Sequence, residues 1–484
     1  MGLLGLLVGL GLLVLFAFRG WSVLLLAPFA ALVAALFGGE PLLANLTQVF
    51  MVNAAGFLAQ FFPIFLLGAV FGKLMDDSGA VTSVAGFMAE RLGERRVILA
   101  VVLAGALVTY GGVSLFVAFF VIVPMARSLF RAASIPRRLI PAAIVLGTST
   151  FTMSALPGTP SIQNAIPMPF FGTTPFAAPG LGILASLIMF GFGLWWLNRQ
   201  EAIARRNGES FGDGAPMPSD RLAVDEMLRE RATTAREFDP AEIMHGGTTD
   251  VPPPAMLAAL PLVTVIIVNL TMSLLILPAL DTRFLAEVRW GGTSLAAVGG
   301  VWAVITALAC AILTVLAVSY RRLPALRATM DAGVNASVLP AVSVASLVGF
   351  GAVVAAMPAF AVVRDAVLGI GGGPLVSLAV ATNLLAALTG SASGGLTIAL
   401  DALGATYMAR AADIGLDPAL LHRVAVIGSG TLDSLPHNGA VVTLLAVCGS
   451  THRESYRDIV MVGIVGALVA LAAVIALGSM VGSF

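Results

Sequence analysis

The sequence is poor in charge, in cysteine and in histidine. Of its 484 residues 11% are Asp, Glu, Lys or Arg, and it holds two cysteines and four histidines. A soluble domain of this length needs more charge than that, so the class is excluded. Cys310 and Cys448 both fall in apolar runs, which rules out a disulfide framework, and neither they nor the histidines show metal-ligand spacing. Net charge is zero, which gives no reason to expect nucleic acid as a partner. No basic stretch precedes the first apolar run. Arg19 follows that run and a second begins at once, the pattern of a retained span and not of a cleaved signal peptide.

What is present is apolar. The hydrophobic share is 58%, laid out in long runs with the charge confined to the gaps. That is an all-α polytopic membrane protein, with the lipid bilayer as its surroundings. Two runs are interrupted. Gly428 to Ala440 reads GSGTLDSLPHNGA, and Gly147 to Pro160 reads GTSTFTMSALPGTP. An Asp at mid-membrane costs about 3 kcal/mol on the insertion scale, so Asp433 reads as functional. Pro436 removes a backbone donor and unravels the helix around it. Backbone exposed at that depth is tolerated only against protein or a watery cavity. Two broken helices in corresponding halves point to a transporter's substrate site.

Two further stretches read as re-entrant hairpins. In Val97–Tyr110, Gly111–Ser114 and Leu115–Met125 each arm is too short to cross, and basic residues flank both ends: Arg95 and Arg96, then Arg127, Arg131, Arg137 and Arg138. Gly373–Leu388 and Leu396–Ala409 repeat the arrangement around TGSASGG at Thr389–Gly395. Gly111 to Ser391 and Gly147 to Gly428 are both offset by about 280 residues. The reading is therefore two inverted repeats, each of five transmembrane helices plus a hairpin, with one broken helix per repeat. The first repeat is 1–197 (hairpin about 97–126, broken helix about 139–170). A cytoplasmic linker spans 198–254, in which Leu222–Arg236 has the pattern of a surface helix. The second repeat is 255–484 (hairpin about 373–409, broken helix about 419–448). With both termini outside, of the 26 Lys and Arg only Arg283, Arg289, Arg364, Arg410 and Arg423 fall outside the cytoplasmic gaps.

Hairpin tips and helix breaks can meet near the bilayer midplane. Free N–H groups at half-helix N-termini bind anions, and glycine tips let a ligand approach the backbone. The expected substrate contacts are Gly111, Gly112, Val113 and Ser114 at the first tip, and Ser154, Gly158, Thr159, Ser161, Gln163 and Asn164 at the first break. Ser391, Ser393, Gly394 and Gly395 follow at the second tip, with Ser434 and Asn438 at the second break. This lining has hydroxyls, amides and bare backbone, with no Lys or Arg near any tip or break. It suits a small hydroxylated anion. Asp433 and His437 are the candidate proton carriers. The plainer alternatives are a helix-capping Asp433, a core His437 and glycines that only pack helices. Asn53, Asn269 and Asn383 read as interhelical hydrogen-bond residues. No metal ligand set and no cofactor is expected.

LPGTPSIQN at Leu156–Asn164 and GTLDSLPHNGA at Gly430–Ala440 resemble the GntP family of gluconate and related permeases, and the second is similar to the D-3-hydroxybutyrate members. The resemblance runs over nearly the whole chain and is weakest at the first spans and the linker. It implies a bacterial inner-membrane protein of the ion transporter superfamily. It also implies proton-coupled uptake of a small carboxylate substrate, a hydroxy-monocarboxylate, by an elevator movement in a homodimer. Sodium-using members of that superfamily carry Ser-Asn-Thr tips. Here the tips read Gly-Gly-Val-Ser and Ser-Ala-Ser-Gly-Gly, so protons are favoured over sodium. The main alternative is a sodium-coupled dicarboxylate or citrate carrier of the same superfamily. A channel is a further rival, and so is an enzyme, an intramembrane aspartyl protease built on Asp401 and Asp433. The enzyme requires its two carboxylates to meet.

Overall fold

Apolar runs of this length have one way to satisfy their backbone in lipid, which is to close every hydrogen bond within a helix. The computed structural model describes residues 2–19, 21–92, 96–212, 246, 247, 249, 251–436 and 438–484. Among these there are helices and connecting turns, and no strand.

The helices, in chain order, are α1 (Gly2–Phe18), α2 (Val23–Gly38), α3 (Leu42–Asp77), α4 (Ala80–Leu92), α5 (Val97–Tyr110) and α6 (Leu115–Ala132). A broken region follows, with α7 (Ile140–Thr148) and the short turns α8 (Phe151–Ser154), α9 (Ile162–Ala165) and α10 (Pro167–Phe171). Then come α11 (Pro179–Arg206), α12 (Ala255–Ala279), α13 (Leu295–Arg322), α14 (Leu326–Ala356), α15 (Phe360–Leu368), α16 (Gly373–Thr389) and α17 (Ala392–Ile414). The second broken region joins α18 (Pro418–Thr431) to α19 (Gly439–Val447), and α20 (His452–Val481) closes the chain. Among the described residues six helices are long and apolar enough to cross a membrane: α3, α11, α12, α13, α14 and α20. The shorter apolar helices include α2, α5 and α16.

Three boundaries differ from the sequence reading, each for a physical reason. Helix α4 falls in one of the charge-bearing gaps between apolar runs, with Glu90 and Arg91 at its end. It is short, but Ala80, Val81, Val84 and Ala85 fall on one face and are buried. The linker begins later than residue 198, because α11 continues through its polar end to Arg206, where Arg205 pairs with Glu201 one turn away. Helix α14 starts at Leu326, before the apolar run, with Arg327 and Asp331 exposed on its first turns. Leu222–Arg236 lies outside the described residues.

Helices α3 and α14 pack along each other, and α13 packs against α3. The arms α5 and α6 pack together, as do α16 and α17, so both glycine stretches sit at the turn of a helix pair. The seam of the second pair depends on Gly395. A Cβ there would overlap the backbone of Leu385 and Ala386.

Candidate functional site

The first tip forms because α5 ends at two glycines. Gly112 has φ +97°, a conformation that needs no Cβ, and the Val113 N–H turns back to the Val108 carbonyl at 3.2 Å. The second tip repeats this with Gly390 at φ +66°, after which the Ser391 hydroxyl caps α17 by accepting the Gly394 N–H.

The breaks satisfy their loosened backbone locally. At the first, the hydroxyls of Thr150, Thr152 and Ser154 donate to the carbonyls of Leu146, Gly147 and Thr150. The chain then turns through residues 155–158, with Gly158 at φ +78°, before Ser161 caps α9. At the second, α18 ends in a tight turn at Leu432–Ser434, and Asn438 caps α19 by accepting the Ala440 N–H at 2.8 Å. His437 lies outside the described residues.

Each tip is tied to the break of its own half. Tyr110 donates its hydroxyl to the Pro157 carbonyl at 2.7 Å, and Thr109 donates to the Thr152 hydroxyl at 3.3 Å. In the second half Asp433 Oδ1 accepts the Ala392 N–H and the Asn438 side-chain amide, both at 2.8 Å, and Asn438 also donates to the Gly390 carbonyl at 2.9 Å. Asp433 therefore caps a helix, as the plainer reading had it, but the helix is the hairpin arm α17 and not the half-helix beyond the break.

A cavity of about 260 Å³ lies where these parts converge. Of the expected contacts its wall includes Gly112, Val113 and Ser114, Ser161 and Gln163, and Ser391 and Ser393. The others stand behind the wall. Gly111 packs on Leu262, and Ser154 bonds the Thr150 carbonyl. The carbonyls of Gly158 and Thr159 accept from Asn269 and Asn164. Asn164 is fully buried, its oxygen 3.1 Å from His422 Nε2 and its amide on Thr159 and Pro175. Gly394 and Gly395 lie in the hairpin, and the Ser434 carbonyl accepts the Tyr456 hydroxyl. Of the three apolar-run asparagines, Asn269 bridges elements, whereas Asn53 and Asn383 bond carbonyls one turn back in their own helices.

The sequence is 39% identical, over 493 aligned positions that cover 100% of both chains, to the uncharacterized transporter YxjC of Bacillus subtilis (strain 168). The family model for GntP family permease matches residues 1–169. The chain belongs to the GntP permease family. A high-affinity gluconate transporter of Escherichia coli (strain K12) is 35% identical over 143 residues, 28% of this chain and 31% of that one. Two solved structures share the fold at 14% identity and a TM-score of 0.53. They are MtrF of Neisseria gonorrhoeae, described with a class of antimetabolite efflux pumps, and the YdaH transporter of Alcanivorax borkumensis. Each covers 90% of this chain, which in turn covers 85% and 88% of theirs.

This GntP permease, a multi-pass membrane protein, has one site residue that the sequence reading placed elsewhere. Lys73 lies on the cavity wall, only 6% exposed, with its ammonium 2.8 Å from the buried Asp77 carboxylate. The lining is therefore not free of basic side chains. A signal was available: Lys73 is the single lysine in the sequence, every other basic side chain being arginine. Second, the N-terminal ends of the two hairpin arms reach the wall, α6 at Ser114–Leu115 and α17 at Ser391–Ser393. The end of a helix of that length carries roughly +0.5 charge and attracts an anion, which at α17 is the Asp433 carboxylate. Third, Asp401 is exposed on α17, nine residues beyond the amide that Asp433 caps, about 13 Å along the helix. The two carboxylates do not form a dyad, and the relatives carry the names of transporters and permeases.

Proposed function

We propose that the protein is a secondary active transporter that imports a small hydroxy-monocarboxylate, of the gluconate or 3-hydroxybutyrate class, together with protons. The observation that supports this best is the cavity, on whose wall both hairpin tips, the first break and the N-terminus of α6 meet. Its volume lies below the roughly 300–1,000 Å³ of pockets for drug-sized ligands, which suits a small solute. Hydroxyls of Ser114, Ser161, Ser391 and Ser393 and the Gln163 amide offer partners for substrate hydroxyls, while Ile64, Phe65, Val344 and Leu347 offer an apolar side for a short carbon chain. The gluconate transporter among the relatives agrees with this substrate class.

The coupling reading gives Asp433 the role of a latch. Neutralising it by a proton weakens its hold on the Ala392 N–H and so frees the second tip. In this reading the two halves are inverted repeats, the bundle of hairpins and breaks moves as an elevator in a homodimer, and the 198–254 loop is cytoplasmic.

The test is uptake of labelled gluconate and D-3-hydroxybutyrate into proteoliposomes under an inward proton gradient. Saturable uptake of either acid, collapsed by a protonophore, is the expected result. Transport that instead needs sodium and a dicarboxylate would replace this reading with the sodium-coupled one.

A further inference from the structure

Lys73 and Asp77 sit one turn apart near the end of α3, and α14 and the end of the linker close in the pair. Asp77 is fully buried. Its Oδ1 takes the Lys73 ammonium at 2.8 Å and its Oδ2 accepts the Thr329 hydroxyl of α14 at 2.5 Å. The last part of the linker lies over it: the Thr249 N–H donates to the Asp77 carbonyl at 3.0 Å, and a Cβ on Gly246 would overlap the Asp77 carboxylate. Asp76, the residue before Asp77 on α3, is a further carboxylate that feels both charges. Of the pair, Lys73 alone reaches the cavity wall.

We propose that this pair is the site's charge-exchange element: Lys73 takes the substrate's carboxylate, and Asp77, displaced as its partner, takes up one proton. The inference rests on the carboxylate reading above and adds to it a binding cation and the place of a proton. The physical reason is charge balance. The buried pair is neutral as it stands. An anion arriving at Lys73 leaves one uncompensated negative charge beside a fully buried carboxylate, which is strongly unfavourable. One proton from water, added to a carboxylate oxygen of Asp77, restores neutrality, and no bond in the substrate is made or broken. Thr329 keeps Asp77 hydrogen-bonded throughout, since a hydroxyl can donate to the carboxylate or accept from the acid. The choice of lysine fits this role. An ammonium is a compact point charge with three rotatable donors that can change partners, whereas a guanidinium fork grips one carboxylate through two parallel bonds. Asp433 then answers for the tip, and Asp77 for the substrate's charge.

The test is proton uptake on binding, read with a pH-sensitive dye in weak buffer on detergent-purified full-length protein, with gluconate and D-3-hydroxybutyrate as probes. Wild-type protein should take up about one proton per acid bound. Asp77→Asn should bind acid with no proton uptake, and Lys73→Met should bind at least tenfold more weakly. Asp401→Asn, away from the cavity, should match wild type. Asp77→Asn taking up the wild-type number of protons, or Lys73→Met binding like wild type, would overturn the proposal. Should Asp77→Asn fail to fold with its lysine left unpaired, the double variant Lys73→Met/Asp77→Asn removes both charges at nearly constant volume. A folded double variant that still couples binding to proton uptake overturns the proposal, and one that binds weakly without uptake supports it. Wild-type protein that binds neither acid would overturn the carboxylate reading itself, and this inference with it.

Discussion

The first glycine tip is held to its break by neutral groups, the Tyr110 phenol on the Pro157 carbonyl and the Thr109 and Thr152 hydroxyls. The second is held by a carboxylate, with Asp433 on the Ala392 N–H and Asn438 beside it. The second fastening contains a carboxylate that a proton can neutralise, and the first is made by hydroxyls and a carbonyl. The breaks differ in the same sense. The first supplies Pro160 to Gln163 to the cavity wall, whereas Asp433, Ser434 and Asn438 stand behind it. Similar sequence patterns in the two halves thus do unlike work: one break lines the cavity and the other fastens the second tip.

Substitutions that break this comparison fall in a definite order. Gly395→Leu should have the largest effect, because even a Cβ overlaps the facing backbone of Ala386 and the second hairpin cannot close. Yield of folded protein in detergent should fall steeply, as measured by size-exclusion chromatography. Gly112→Ala comes next. It forces φ +97° on an L side chain, at about 1–2 kcal/mol, and sets a Cβ 3.1 Å from Pro160. Transport should drop about tenfold, with the thermal midpoint lowered by a few degrees. Pro436→Ala restores a donor at the second break and lets the helix extend. Uptake should fall several-fold while thermal stability stays near wild type, and normal uptake would mean that the break is not needed. Tyr110→Phe is the mildest. It removes one hydrogen bond, about 0.5–1.5 kcal/mol, and should lower stability slightly while leaving the accumulation ratio unchanged. A changed ratio would mean that the first fastening also takes part in coupling.

Much of this was legible in the chain. The breaks at Ser149 and Pro436 and the tips at Gly112 and Gly390 interrupt apolar runs, and an interruption in lipid has few explanations. Which residues would face the cavity was not legible, because a broken helix has no period from which to project its faces. Ser161 and Gln163 turn inward while Asn164, next along, is buried against His422. Lys73 was hidden for another reason. It stands at the end of an apolar run, where a basic residue ordinarily marks the membrane surface, and only the packing of α3 against α14 places it on the cavity. Helix α4 was hidden because thirteen residues with one buried face look like a polar gap beside spans twice as long.

The contrast between the two fastenings is tested most directly by measuring accumulation and exchange side by side in proteoliposomes carrying Asp433→Asn. An asparagine can still accept the Ala392 N–H but no longer changes charge. The account predicts that gradient-driven accumulation of the hydroxycarboxylate is lost while exchange across the membrane persists in part. Full concentrative uptake by this variant would contradict it and remove Asp433 from coupling.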